Sequence, residues 1–102
     1  MTFAFMATGG QGVISVASNV APAEVSAMCS AMLEGDLLKA RALHHRLMPL
    51  FKGCFVESNP IPVKAAMAEL RLMRSEVRPP LSEAAEATKK TIAQILTDLW
   101  KK

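Results

Sequence analysis

The apolar positions of this chain repeat at helical spacing over most of its length. Val25, Met28, Cys29, Met32 and Leu33 fall at i, i+3, i+4, i+7 and i+8, the one-sided stripe of an amphipathic helix. Ser18 or Asn19 can open this helical region, and Pro22 stands near its first turn, where a missing N–H costs nothing. Gly35 closes it and Asp36 caps the next helix. The second stripe runs through Ala40, Leu43, Leu47, Leu50, Phe51 and Cys54, and Pro49 inside it predicts a bend. Prolines 60 and 62 hold the stretch 57–62 as a turn. Pro62 then starts a third helix, with Val63, Ala66, Met67 and Leu70 facing inward. Beyond Arg78-Pro79-Pro80, Ser82 is the expected cap of a last helix, whose stripe is Ala85, Thr88, Ile92, Ile95, Leu96 and Leu99. Glu83 and Glu86 near its start and Lys101-Lys102 at its end complement the helix macrodipole.

One stretch breaks this period. Gly12-Val13-Ile14-Ser15-Val16 reads as a strand buried on both faces, the kind a parallel sheet holds between two neighbours. Before it, Phe3-Ala4-Phe5-Met6-Ala7 reads as the last turns of a helix stopped by Gly9-Gly10. No second strand follows. The pattern predicts a mostly α chain with one lone strand and four helices after it, and the best candidate for an internal joint is near residue 35.

Composition narrows the class. The chain has 102 residues, 51% of them hydrophobic and 21% charged, which predicts a single folded domain and excludes a disordered one. No apolar run approaches the roughly 20 residues of a membrane span. The start MTFAFMATGG has no basic n-region and no long apolar core, so no secretory signal is expected and the cytoplasm is the expected compartment. Cys29 and Cys54 are too far apart for a CxxC pair and fit buried free thiols in a reducing compartment. The net charge of +3 invites a nucleic-acid reading, but the cations are scattered and there is no tyrosine. With no stacking platform, a solvated helical surface explains the charge, and no nucleic-acid partner is expected.

Few residues offer chemistry. Adjacent helical residues point about 100° apart, so His44-His45 closes poorly on one metal, and no acidic residue or cysteine completes a ligand set; no metal is expected. Met28, Met32, Met48 and Met67 lie on or near apolar faces and read as core filling. Gly9-Gly10-Gln11-Gly12 closes a helix and opens a strand, the reverse of a phosphate loop. Lys64 stands amid apolar residues but in the first turn of a helix, which reads as a snorkelling or capping lysine and not as a nucleophile.

Three blocks carry a family resemblance: GGQGVISVASNVAP (9–22), LMPLFKGCFVESNPIPVKAAM (47–67) and RPPLSEA (78–84). Together they resemble the C-terminal part of the dihydrodipicolinate synthase (4-hydroxy-tetrahydrodipicolinate synthase) family, over essentially the whole chain. The resemblance implies a C-terminal fragment of a (β/α)₈ barrel. Residues 1–35 would be the end of the seventh helix, the eighth strand and the eighth helix, and residues 36–102 the appended C-terminal helical domain. The neighbours of the lone strand would then be the first and seventh barrel strands, which lie outside this sequence. The family is a lyase of lysine and diaminopimelate biosynthesis. It holds pyruvate as a Schiff base on a strand lysine, with a tyrosine and threonine relay, and uses no further cofactor. Only Ile14 carries over, at the position whose backbone contacts pyruvate. The lysine, threonine and tyrosines of the relay would all lie upstream of Met1, so no catalytic residue is expected here. A start partway through the seventh helix would mark a truncated product, inactive alone. Its expected partners are a complementary barrel fragment or another copy of itself. The reading from a different class is a non-catalytic helical interaction module.

Overall fold

The computed structural model describes residues 1–100. It contains five α-helices: α1 (Thr2–Ala7), α2 (Pro22–Glu34), α3 (Leu37–Gly53), α4 (Ile61–Glu69) and α5 (Glu86–Leu99), with a 3-10 turn at Ala17–Asn19. The chain divides into two compact units, Met1–Met48 and Pro49–Lys102, and the division falls within α3 beside the internal Pro49. Lys101 and Lys102, expected at the end of the last helix, lie outside the described residues.

In the first unit, glycine sets both helix stops. Gly9, at φ +114°, lets its own N–H reach Met6 O (3.1 Å) and the Gly10 N–H reach Phe5 O (3.0 Å). These bonds satisfy the last carbonyls of α1, as the left-handed closure of a helix requires. Gly35, at φ +80°, does the same for α2, and Asp36 then serves two helices. Its N–H bonds Ala31 O (2.8 Å), while its carboxylate accepts the Lys39 N–H (3.2 Å) at the start of α3. The buried faces follow the predicted stripes at Val25, Met28, Ala40 and Leu47. Leu33 departs from its stripe and is exposed, because it sits in the last turn of α2, where the chain turns away at Gly35.

The expected strand Gly12–Val16 is not formed. Among the described residues there is no strand, and Val16 has helical angles (φ −71°, ψ −46°) as the residue leading into the 3-10 turn. A ladder needs a second extended chain, and none lies beside this segment. Ser15 instead accepts the Ser18 N–H on its hydroxyl (3.1 Å), and the Ser18 hydroxyl donates to Ser15 O (2.7 Å). This local exchange favours a turn over continued extension.

The second unit packs α4 against α5. Ile92 is 1% exposed, and a Cβ on Gly53 would stand 2.7 Å from Ile95 Cδ1 and 3.5 Å from Ile92 Cδ1. The last turn of α3 therefore lies against the Ile92 and Ile95 side chains of α5, and a larger residue at position 53 would have to push the end of Ile95 aside. Pro62 sits in the first turn of α4, as predicted. Ser82, however, does not cap α5. That helix begins at Glu86, and the N–H of the extended residue before it, Ala85, donates to Glu57 Oε2 (3.1 Å). Ala84 is buried with Ile61, Ala65 and Val77, and this packing holds the segment out of the helix for one turn past Ser82.

The stop of α4 carries no glycine. Arg71 takes φ +60°, with its N–H on Ala68 O (2.9 Å) and the Leu72 N–H on Met67 O (2.9 Å). A side chain in the left-handed region costs about 1–2 kcal/mol, partly offset by the greater freedom glycine has when unfolded, about 0.4–1 kcal/mol. Arg71→Gly should therefore stabilise the protein by about 0.5–1 kcal/mol. Urea unfolding followed by helical circular dichroism reads this as a raised midpoint. An unchanged or lowered midpoint would show that the Arg71 side chain contributes more than its strained backbone costs.

Candidate functional site

Residues 11–15 run from the glycine stop of α1 to the 3-10 turn, and they present the least satisfied main chain of the first unit. No backbone or side-chain hydrogen bond within the described residues engages the N–H or C=O of residues 11–14. Ile14 is fully exposed at 105% and Val13 is 43% exposed. Beside them lies a groove of about 420 Å³, lined in part by Gly12, Val13, Pro22, Val25 and Cys29. Ile14, the one residue for which the family resemblance implies substrate contact, thus offers an open peptide group, and its neighbours Gly12, Val13 and Ser15 line the groove. The groove itself was not readable from the sequence, because its walls come from a non-helical segment and from α2 together.

Among the described residues no lysine lines this groove. Lysine attacks a carbonyl only when neutral, which requires desolvation or a cationic neighbour. Lys64 donates its Nζ to Glu76 O (3.2 Å), so it tethers a loop. Lys89 is ion-paired, 3.7 Å from Glu83 and 3.5 Å from Glu86. It also borders the smaller groove of the second unit, about 190 Å³, with Glu69 and Ser75. Lys39, Lys52 and Lys90 are exposed to water.

The remaining candidates are structural. His44 packs its ring 5.2 Å from Phe3, joining α1 to α3, and lies 5.4 Å edge-on from His45. Burial lowers its pKa, reinforced by the positive Met1 amino group and by His45. Among the described residues no three His, Cys, Asp or Glu side chains gather to hold a metal. Cys29 and Cys54 are free thiols. Burial raises both, Cys54 to about 11, so neither is an activated thiolate. Glu57, which holds the start of α5, was legible only as a turn residue, since its partner lies 28 positions away. Among the described residues no helix is long and apolar enough to cross a membrane.

Comparison with known proteins places this geometry. The sequence model of the Dihydrodipicolinate synthetase family matches residues 1–99. The chain is 45% identical over 97 residues to the 4-hydroxy-tetrahydrodipicolinate synthase of Thermotoga neapolitana, covering 95% of this chain and 33% of that one. It is 46% identical over 99 residues to the synthase of the same name from Methanocaldococcus jannaschii, covering 97% and 34%. The crystal structure of dihydrodipicolinate synthase from Thermotoga maritima superposes with a TM-score of 0.94 at 44% identity, over 96% of this chain and 33% of that one. The Acinetobacter baumannii enzyme complexed with pyruvate superposes with a TM-score of 0.91 at 35% identity, over 95% and 33%. The chain spans about a third of the length of the curated relatives it matches.

Proposed function

The chain belongs to the dihydrodipicolinate synthetase family, and from that premise we propose that it is the C-terminal part of a 4-hydroxy-tetrahydrodipicolinate synthase, inert until joined by the rest of the barrel. The observation that carries this reading is the match over residues 1–99 to enzymes three times as long. Residues 1–35 supply the close of the barrel and residues 36–102 its appended helices. In the joined enzyme pyruvate condenses with aspartate semialdehyde, in lysine and diaminopimelate biosynthesis. The pyruvate is held as a Schiff base on a lysine of the complementary part. This chain contributes the main chain of Ile14, whose N–H and C=O have no partner among the described residues, and it contributes no acid, base or nucleophile. The two free thiols fit a cytoplasmic setting.

The test is complementation. The chain is mixed with a polypeptide comprising the remaining two-thirds of the Thermotoga maritima relative. Condensation activity should be absent from either part and present in the mixture. A soluble, mixed complex without activity would contradict the assignment, as would activity of the complementary part alone at the same rate.

A second reading, a non-catalytic interaction module, is favoured by the large apolar side chains left in water. Besides Ile14, these include Leu38 at 75% and Phe55, Leu33 and Leu72 at 63% each. Self-association that persists unchanged in the presence of the complementary part would support it over the first.

A further inference from the structure

We propose that residues 72–84 form a strap that opens as a unit while α4 and α5 stay packed, and that polar ties from the strap to these two helices hold it shut. The strap contains no helix or strand. Its ends are fixed, since the Arg71 N–H bonds Ala68 O at the stop of α4 and the Ala85 N–H bonds Glu57 Oε2 before α5. Between Met73 and Ala84 a single main-chain bond is found among the described residues, from the Leu81 N–H to Arg78 O (3.1 Å). The position of the strap therefore depends on what it touches.

Those contacts are weak ones. Lys64 Nζ reaches from α4 to Glu76 O (3.2 Å). Glu83 Oε2 stands 3.7 Å from Lys89 Nζ on α5, and its Oε1 accepts the Ser75 hydroxyl (3.0 Å), so one carboxylate joins both limbs of the strap to α5. These groups are in contact with water, where a polar tie contributes little. The apolar hold is the half-buried Val77 and the methyl of Ala84, packed with Ile61 and Ala65. By contrast α5 buries Ile92, Leu96 and Leu99. A segment with few buried apolar contacts opens at a lower free energy than the core beside it, so the strap parts before the helices do.

Opening changes the groove of about 190 Å³. Its walls are Ala65, Ala68 and Glu69 from α4, Lys89 from α5 and Ser75 from the strap. When the strap lifts, the Ser75 wall leaves, Ile61 and Ala65 lose their cover, and Glu83 leaves Lys89, which keeps Glu86 at 3.5 Å.

Thiol labelling of the 102-residue chain carrying Ala84→Cys tests this, with mass mapping to assign each label and helical circular dichroism as the fold control. Ala84 is buried in the strap and Cys54 is buried just past α3 in the same unit, so the native thiol times the opening of the helical core. Each rate is divided by that of the same thiol in denaturant. The introduced thiol should label at least roughly tenfold faster than Cys54. Lys64→Met and Glu83→Ala should each speed it by about two- to fivefold more and leave Cys54 unchanged. Arg74→Ala should change neither rate, because the Arg74–Glu76 ion pair lies within the strap. Equal labelling of the two thiols would overturn the proposal, as would a rate that neither Lys64→Met nor Glu83→Ala raises. Should Ala84→Cys lose helicity, Val77→Cys, at the edge of the same apolar cluster, is read against Cys54 in the same way.

Discussion

Ile92→Ala lowers the stability of this protein by about 2–5 kcal/mol, while Ile14→Ala leaves it within about 0.5 kcal/mol. The two side chains are chemically identical and differ only in surroundings. Ile92 is 1% exposed on the face of α5, with its Cδ1 3.5 Å from the point where a Cβ on Gly53 would stand. Backbone lies against it on that side, and backbone does not swing into a vacated volume. The loss is therefore the transfer free energy of the removed carbons together with the cavity left behind. Ile14, at 105% exposure, leaves no cavity and gives up no burial. For a domain of this size, about 2 kcal/mol already shifts the thermal midpoint by at least roughly 8 °C. Thermal unfolding by helical circular dichroism, at concentrations low enough to keep the chain monomeric, compares the two. If Ile14→Ala lowers the midpoint as far as Ile92→Ala does, residues 11–15 are packed within the chain and the exposed segment is misplaced.

How much of this architecture the sequence carried depends on the range of the forces at each position. The stops at Gly9 and Gly35 were readable because a left-handed backbone selects glycine locally. Asp36 was readable as a cap for the same reason, its partner being three residues away. Arg71 gave no such sign, since it adopts the left-handed region despite its side chain. The start of α5 was misread at Ser82. There a distant carboxylate, Glu57, and the burial of Ala84 outweigh the local capping preference. The strand at residues 12–16 was a sound reading of composition, but pairing is not a local property, and the segment ends in a turn made by Ser15 and Ser18. At the candidate site, residue identity alone did not mark Ile14; the family resemblance did. The groove beside it needed the structure.

We propose that Ile14 gives this chain one wall of a pyruvate site and that no lysine of this chain forms the imine. Lys64 is tied to Glu76 O and Lys89 stands between two carboxylates, while Lys39, Lys52 and Lys90 are exposed to water. An imine with pyruvate needs a lysine positioned at the ketone carbon, from which water can leave. With no tyrosine in the chain, no phenol is available to relay the proton. The most direct measurement is to incubate the purified 102-residue chain with pyruvate, reduce with borohydride, and weigh the intact protein. The account predicts the unmodified mass, at pyruvate concentrations that give full trapping in the intact Thermotoga maritima enzyme run in parallel. A stoichiometric pyruvyl adduct on a single lysine of this chain would contradict it.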